Sequence, residues 1–122
     1  MIHTIFTTEN KNLNHISFIF CSDENLLELN RIHLNHDFLT DILTFDLSEN
    51  EHSLISEIYI STDRVRENAR QFDVPFLQEL TRVIIHGTLH LCGYKDKKKS
   101  EISLMRQKEA YYLRLSANLN LL

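Results

Sequence analysis

Residues 86–96 read HGTLHLCGYKD, and within them His86, His90 and Asp96 have the types and spacing of a metal-ligand set. Two histidines four apart project from one face of an α-helix, one turn above the other. Gly93 takes a left-handed conformation without steric cost, so it ends the helix and reverses the chain. That reversal brings Asp96 back toward the imidazoles. Two imidazoles and one carboxylate fill three corners of a tetrahedron and leave the fourth for water, the arrangement of a catalytic rather than a structural zinc. Taken singly, these residues are ordinary: Gly93 is a helix stop, and Asp96 suits the N-cap of the helix that follows. Their joint offsets are what point to a single ion, Zn²⁺, one per chain.

A helix must carry the two histidines. Pro75 sits where a helix can begin, and Leu77, Leu80, Val83, Ile84, Leu89 and Leu91 recur at helical intervals up to Gly93. Such a helix is largely buried, and buried histidines need partners; a metal supplies one. Around it, residues 16–21 (ISFIFC) read as a buried strand, and Ser22 or Asp23 caps a helix to about His33. Residues 41–46 alternate, with Leu43, Phe45 and Leu47 on one face, and SENEHS forms a polar turn. Residues 55–61 form a third strand, with Ile58 and Ile60 on one face and Glu57, Tyr59 and Ser61 on the other. Ser61 or Thr62 caps a helix ending near Phe72, with Val65, Ala69 and Phe72 as its apolar stripe. A last helix runs from Ser100 to about Ser116, with Ile102, Met105, Tyr112 and Leu113 among its apolar positions. A short strand at Ile2–Phe6 is an optional opening element. The pattern is α+β, a small mixed β-sheet packed with helices, with the metal site at the end of a central buried helix.

At 122 residues the chain has room for one core, so a single domain over 1–122 is expected. No apolar run approaches the ~20 residues that span a bilayer. The N-terminus lacks a basic region followed by an apolar one, so a cytoplasmic protein with Cys21 and Cys92 reduced is expected. Cys92, two residues past His90, points away from the histidine face. The net charge is −4, but unevenly spread. Residues 1–61 hold 2 Lys/Arg against 10 Asp/Glu, whereas residues 62–122 hold 11 against 7. Lys95, Lys97, Lys98 and Lys99 surround Asp96. A solvated charge run is the plain account of them, yet cations at the start of a helix oppose its dipole, and a phosphate backbone across the metal would use them.

The metal motif resembles that of the metzincin peptidases, H-E-x-x-H-x-x-G-x-x-H. Gly87 stands where those enzymes carry the glutamate that serves as general base, which argues against peptide hydrolysis. The motif is more similar to the signature of the YbeY family of bacterial endoribonucleases, H-G-x-L-H-L-x-G-Y-D-H. His86, Gly87, Leu89, His90, Leu91, Gly93 and Tyr94 match it, while Lys95 replaces an aspartate and Asp96 the third histidine. Residues 29–47 resemble a second family segment through Leu29, Asn30, Asp37, Thr40, Asp41, Leu43 and Phe45. The arginine of that segment falls at Leu34, with Arg31 the neighbouring cation. Glu57, Glu101 and Glu109 fall at acidic positions of the family.

This resemblance implies a zincin-like metal-dependent endoribonuclease that cuts single-stranded RNA, in 16S rRNA 3′-end maturation and ribosome quality control. His86, His90 and Asp96 are the expected ligands. Glu57, Asp41 and Glu101 are candidates for proton transfer, and Lys95, Lys97, Lys98, Lys99 and Arg31 for RNA binding. Single-stranded RNA, 16S rRNA or the ribosome would be its partners, with no membrane, and the protein would act as a monomer. A non-catalytic zinc protein on the ribosome and a zinc peptidase are the alternatives.

Overall fold

The computed structural model describes residues 2–9, 11, 15–34, 40–48 and 55–118. Its elements are α1 (Ile2–Thr8), β1 (His15–Cys21), α2 (Asp23–Leu34), β2 (Ile42–Asp46), β3 (Ile55–Ser61), α3 (Thr62–Phe72), α4 (Phe76–Leu91) and α5 (Lys99–Asn118). The sheet order is β1-β3-β2, with β1 parallel and β2 antiparallel to the central strand. The α+β class with a small mixed sheet is therefore as expected.

Alternation along β3 divides the molecule. Ile58 and Ile60 are fully buried and pack with Val65 of α3 and Val83 of α4. Glu57 and Tyr59 point the other way, where Tyr59 meets Phe45 of β2 edge-to-face and Phe45 meets His33 of α2. So α3 and α4 cover one face of the sheet and α2 the other. Behind α4, a second cluster joins Ile85, Leu89 and Cys92 to Met105 and Tyr112 of α5 and to Ile5 and Phe6 of α1.

Residues 2–6 form a helix, not the strand their β-branched content suggested. A helix sets Ile2, Ile5 and Phe6 on one stripe, and burying that stripe against α4 and α5 outweighs a weak local preference. The α3 stripe is also shorter than expected: Val65 and Ala69 are buried, but Phe72 is exposed, as are Leu77 of α4 and Ile102 of α5. Of the expected 48–53 turn, residues 49–53 lie outside the described residues. Cys21 and Cys92 are both free thiols, and Cys92 lies in the core with its thiol pushed up to about 11 by burial.

Capping fixes the helix ends. The Ser61 hydroxyl accepts from the Arg64 amide to start α3. Pro75 precedes α4 with its missing N–H where no helical bond is needed. At the other end Gly93 adopts φ +105°, its amide donates to the His90 carbonyl, and the Tyr94 amide donates to the Leu89 carbonyl. These two bonds make a Schellman turn, the chain reversal expected of Gly93. Midway along α4, a Cβ on Gly87 would lie 2.6 Å from Ile42 Cδ1 and 3.4 Å from Ile58 Cδ1. Close packing of helix on sheet favours glycine there, since any Cβ would push the tip of Ile42 aside.

Candidate metal centre

His86 and His90 occupy the last two turns of α4, their rings 4.6 Å apart and edge-to-face. Their Nε2 atoms are 3.0 Å apart. The turn at Gly93 returns Asp96 so that its Oδ2 lies 3.3 Å from each Nε2. The donor atoms of the three residues thus converge on one point, and Asp96 is the most exposed of them, its side chain 40 % accessible.

The hydrogen-bonding of the far ring edges decides what this cluster suits. His90 Nδ1 lies 2.8 Å from the Tyr94 carbonyl oxygen, which can only accept, so Nδ1 carries the proton. His86 Nδ1 lies 2.6 Å from Glu109 Oε2, again an acceptor. Burial opposes the Glu109 charge, but hydrogen bonds and charge from His86 and Arg82 outweigh it and hold its carboxyl below the usual range. With Nδ1 engaged on each ring, the two Nε2 atoms face each other and a carboxylate oxygen of Asp96. Two imidazole nitrogens and a carboxylate oxygen at 3.0–3.3 Å from one another are the donor types and the convergence that a single cation takes. The donor set fits a divalent metal.

Arg82, one turn before His86 on the same face of α4, holds the surroundings together. It makes a bidentate pair with Glu79 (2.8 and 2.8 Å), meets Glu109 at 3.0 Å and lies 3.8 Å from Asp41 Oδ2. The hydrogen bonds to Glu79 raise its already high pKa further against the cost of burial. Glu79 and Glu109 are buried, and this guanidinium makes their burial tolerable. Neither Arg82 nor Glu109 was marked as a site residue by spacing. Arg82 sits at i−4 of His86, a signal that was there to be read; the Glu109 contact spans 23 positions and is invisible to local pattern.

A groove runs past the cluster, bordered by Asp41, Ile42 and Thr44 of the β2 segment and by His86, His90 and Lys97. Among the described residues β2 pairs only with β3, so its other edge borders this groove. Of the residues expected to transfer protons, only Asp41 lies here, its carboxylate also accepting from Asn68 at 3.4 Å. Glu57 is on the opposite face of the sheet, accepting from the Tyr59 hydroxyl at 3.3 Å in a hollow with Leu29 and His33. Glu101 accepts from the Lys98 amide at 2.9 Å and so caps α5. Lys97 lines the groove, whereas Lys95 and Lys98 are exposed on the connecting turn, Lys99 is exposed at the start of α5 and Arg31 is on α2, on the far face.

Sequence comparison now decides the kinship. A family model described as Endoribonuclease YbeY matches residues 1–116. The chain belongs to the YbeY endoribonuclease family. It is 51 % identical to the Endoribonuclease YbeY of Flavobacterium psychrophilum over 114 residues, 93 % of this chain and 81 % of that one. The Christiangramia forsetii YbeY is 51 % identical over 108 residues, covering 88 % and 75 % of the two chains. The fold is shared with a Thermotoga maritima protein of known solution structure, at a TM-score of 0.65 and 31 % identity, over 98 % of this chain and 79 % of that one. No helix among the described residues is long and apolar enough to cross a membrane.

Proposed function

We propose that the protein is a metal-dependent endoribonuclease that cuts single-stranded RNA, acting as a single domain and a monomer in the cytoplasm. In our reading its RNA is the 3′ end of 16S rRNA, during ribosome maturation and quality control. The observation that carries the chemistry is the convergence of two imidazole Nε2 atoms and the Asp96 carboxylate beside an open groove. His86, His90 and Asp96 would hold Zn²⁺. Zn²⁺ so bound supplies a Lewis acid for a phosphodiester oxygen and lowers the pKa of water toward ~7.

The remaining roles belong to the chain. Glu109 and the Tyr94 carbonyl keep Nδ1 protonated on each ring, so both Nε2 atoms stay available as donors. Asp41 is the carboxylate placed to take a proton in the groove, and Lys97 is the cation placed to meet a phosphate there. Among the described residues three donors converge, which suits a catalytic centre, whereas a structural zinc takes four. A peptidase would need a general base at position 87, where glycine is packed against Ile42 and Ile58.

The test is to incubate protein with labelled single-stranded RNA and the matching duplex, with and without chelator, beside a His90→Ala variant. Cleavage of the single strand alone, abolished by chelator and in the variant, is expected. Elemental analysis of the variant should show zinc lost, and full occupancy there would sink the ligand assignment. No cleavage by fully metallated wild-type protein, alone or on ribosomes, would overturn the nuclease assignment.

A further inference from the structure

Two hollows meet on the α5 side of the metal cluster, away from the β2 groove. The first, about 220 Å³, is bordered by His86, Asp96, Glu109, Ile102 and Arg106. The second, about 330 Å³, is walled by Phe72, Val74, Gln78, Leu113 and Glu79, whose carboxylate is paired with Arg82. Arg82 and Arg106 border both, so the two hollows adjoin at these arginines.

The two arginines differ in what they can still do. Arg82 spends its donors on Glu79 and Glu109, with Asp41 close by, so its charge is already compensated. Arg106 is exposed, and no carboxylate among the described residues pairs with it. It is the guanidinium at this site with both charge and donors uncommitted. On the border of the same second hollow Phe72 stands 60 % exposed, an aromatic ring left in water. A guanidinium with no carboxylate partner among the described residues, bordering both the hollow at the metal cluster and the hollow with an exposed ring, matches how single strands are gripped: phosphate on cation, base on aromatic.

We propose that Arg106 and Phe72 form a nucleotide subsite, Arg106 binding a backbone phosphate adjacent to the one cut and Phe72 with Leu113 receiving its base. This rests on the assignment of RNA as substrate. Arg106 and Phe72 are binding residues here; neither touches the reacting atoms.

Binding is measured by fluorescence anisotropy across a salt series. A labelled single-stranded RNA is used with metal removed by chelator, and a DNA strand of the same sequence with Zn²⁺ restored. Arg106→Ala should weaken binding and reduce the slope of log K against log salt by about 0.7, the contribution of one phosphate contact on a single strand. Arg106→Lys should restore the slope. Phe72→Ser should weaken binding about tenfold with the slope unchanged, the effect of one lost base stack. Arg114→Ala, two turns further along α5, is the control for general charge and should leave both quantities as in wild type. Wild-type affinity and slope in Arg106→Ala would overturn the subsite, as would an equal loss in Arg114→Ala. An unchanged affinity in Phe72→Ser would overturn its base-binding half. Failure of the wild-type protein to bind either strand would instead overturn the ribonuclease assignment, and the subsite with it.

Discussion

Glu9 and Glu109 are nearly equally buried, at 9 % and 7 % side-chain exposure, Glu9 among donors from α5 and the turn after α4, and Glu109, on α5, among donors from α4. Around Glu9 stand the hydroxyls of Tyr94 and Tyr112 and the ammonium of Lys108. Around Glu109 stand the imidazole of His86 and the guanidinium of Arg82. Both carboxyls are held below their ordinary pKa of 4.5: burial opposes the charge in each, and the hydrogen bonds outweigh it. The partners separate the two. None of the side chains that donate to Glu9 is a metal-ligand candidate, although the Tyr94 backbone carbonyl meets His90, so Glu9 fastens the end of α1 to the turn after α4 and to α5. A partner of Glu109 is itself a metal-ligand candidate, so the same chemistry there orients a reactive atom. Burial and a shifted pKa do not by themselves mark a functional carboxylate; what its donor touches next does.

The widest gap between the two regions should appear with Arg82→Met. It strands Glu79 and Glu109 in the interior without a counter-charge, and urea unfolding should show a loss of about 3–5 kcal/mol. Next, Glu109→Gln should lower zinc affinity by about 10–100-fold, read by competition with a chromogenic chelator, while Glu9→Gln leaves it unchanged. An equal loss in both variants would break the distinction. Third, Glu9→Ala removes the acceptor of the fully buried Tyr112 hydroxyl, and thermal melts should report a cost of about 2 kcal/mol with zinc content intact.

The smallest effect is on acid stability, where the two carboxyls should behave alike. Because their folded pKa values lie below the unfolded value, each stabilises the fold above about pH 4.5 and loses that contribution as pH falls through its folded value. Glu9→Gln should flatten part of this acid limb. On the alkaline side Tyr94 and Tyr112 have raised pKa values, Tyr94 chiefly through its bond to Glu9 and Tyr112 chiefly through burial. Their contribution is complete below the ordinary phenol value near 10 and fades above it as the phenols ionise. Retained stability above that range would contradict the anchoring role of Glu9.

The metal cluster was legible because its three members lie within eleven residues and follow from helix period plus one glycine turn. The three strands and the helices at 23–34, 62–72, 76–91 and 99–118 were legible for the same reason, a local period repeated long enough. The α1 helix was not, since its seven residues acquire their shape from the core they cover. Glu57 and Glu101 show a different failure. Each has the right chemistry, but the pleat turns one to the far face and the other closes a helix end. Acidity is visible in a sequence; which side of a sheet it faces relative to a centre thirty residues away is not.

Gly87 has a consequence that reaches past packing. Both histidines ride on α4, whereas the groove wall is β2, and the two bodies touch where a methyl at 87 would strike the tip of Ile42. Alanine would gain about 1 kcal/mol of helix propensity, yet Ile42 would have to swing aside, and Ile42 borders the groove. The ligands, lying on the same rigid helix, would keep their mutual geometry. Position 87 is thus a tuning point that reshapes the groove without altering the donor cluster it leads to. Gly87→Ala should retain its zinc and shift the preference among RNA sequences.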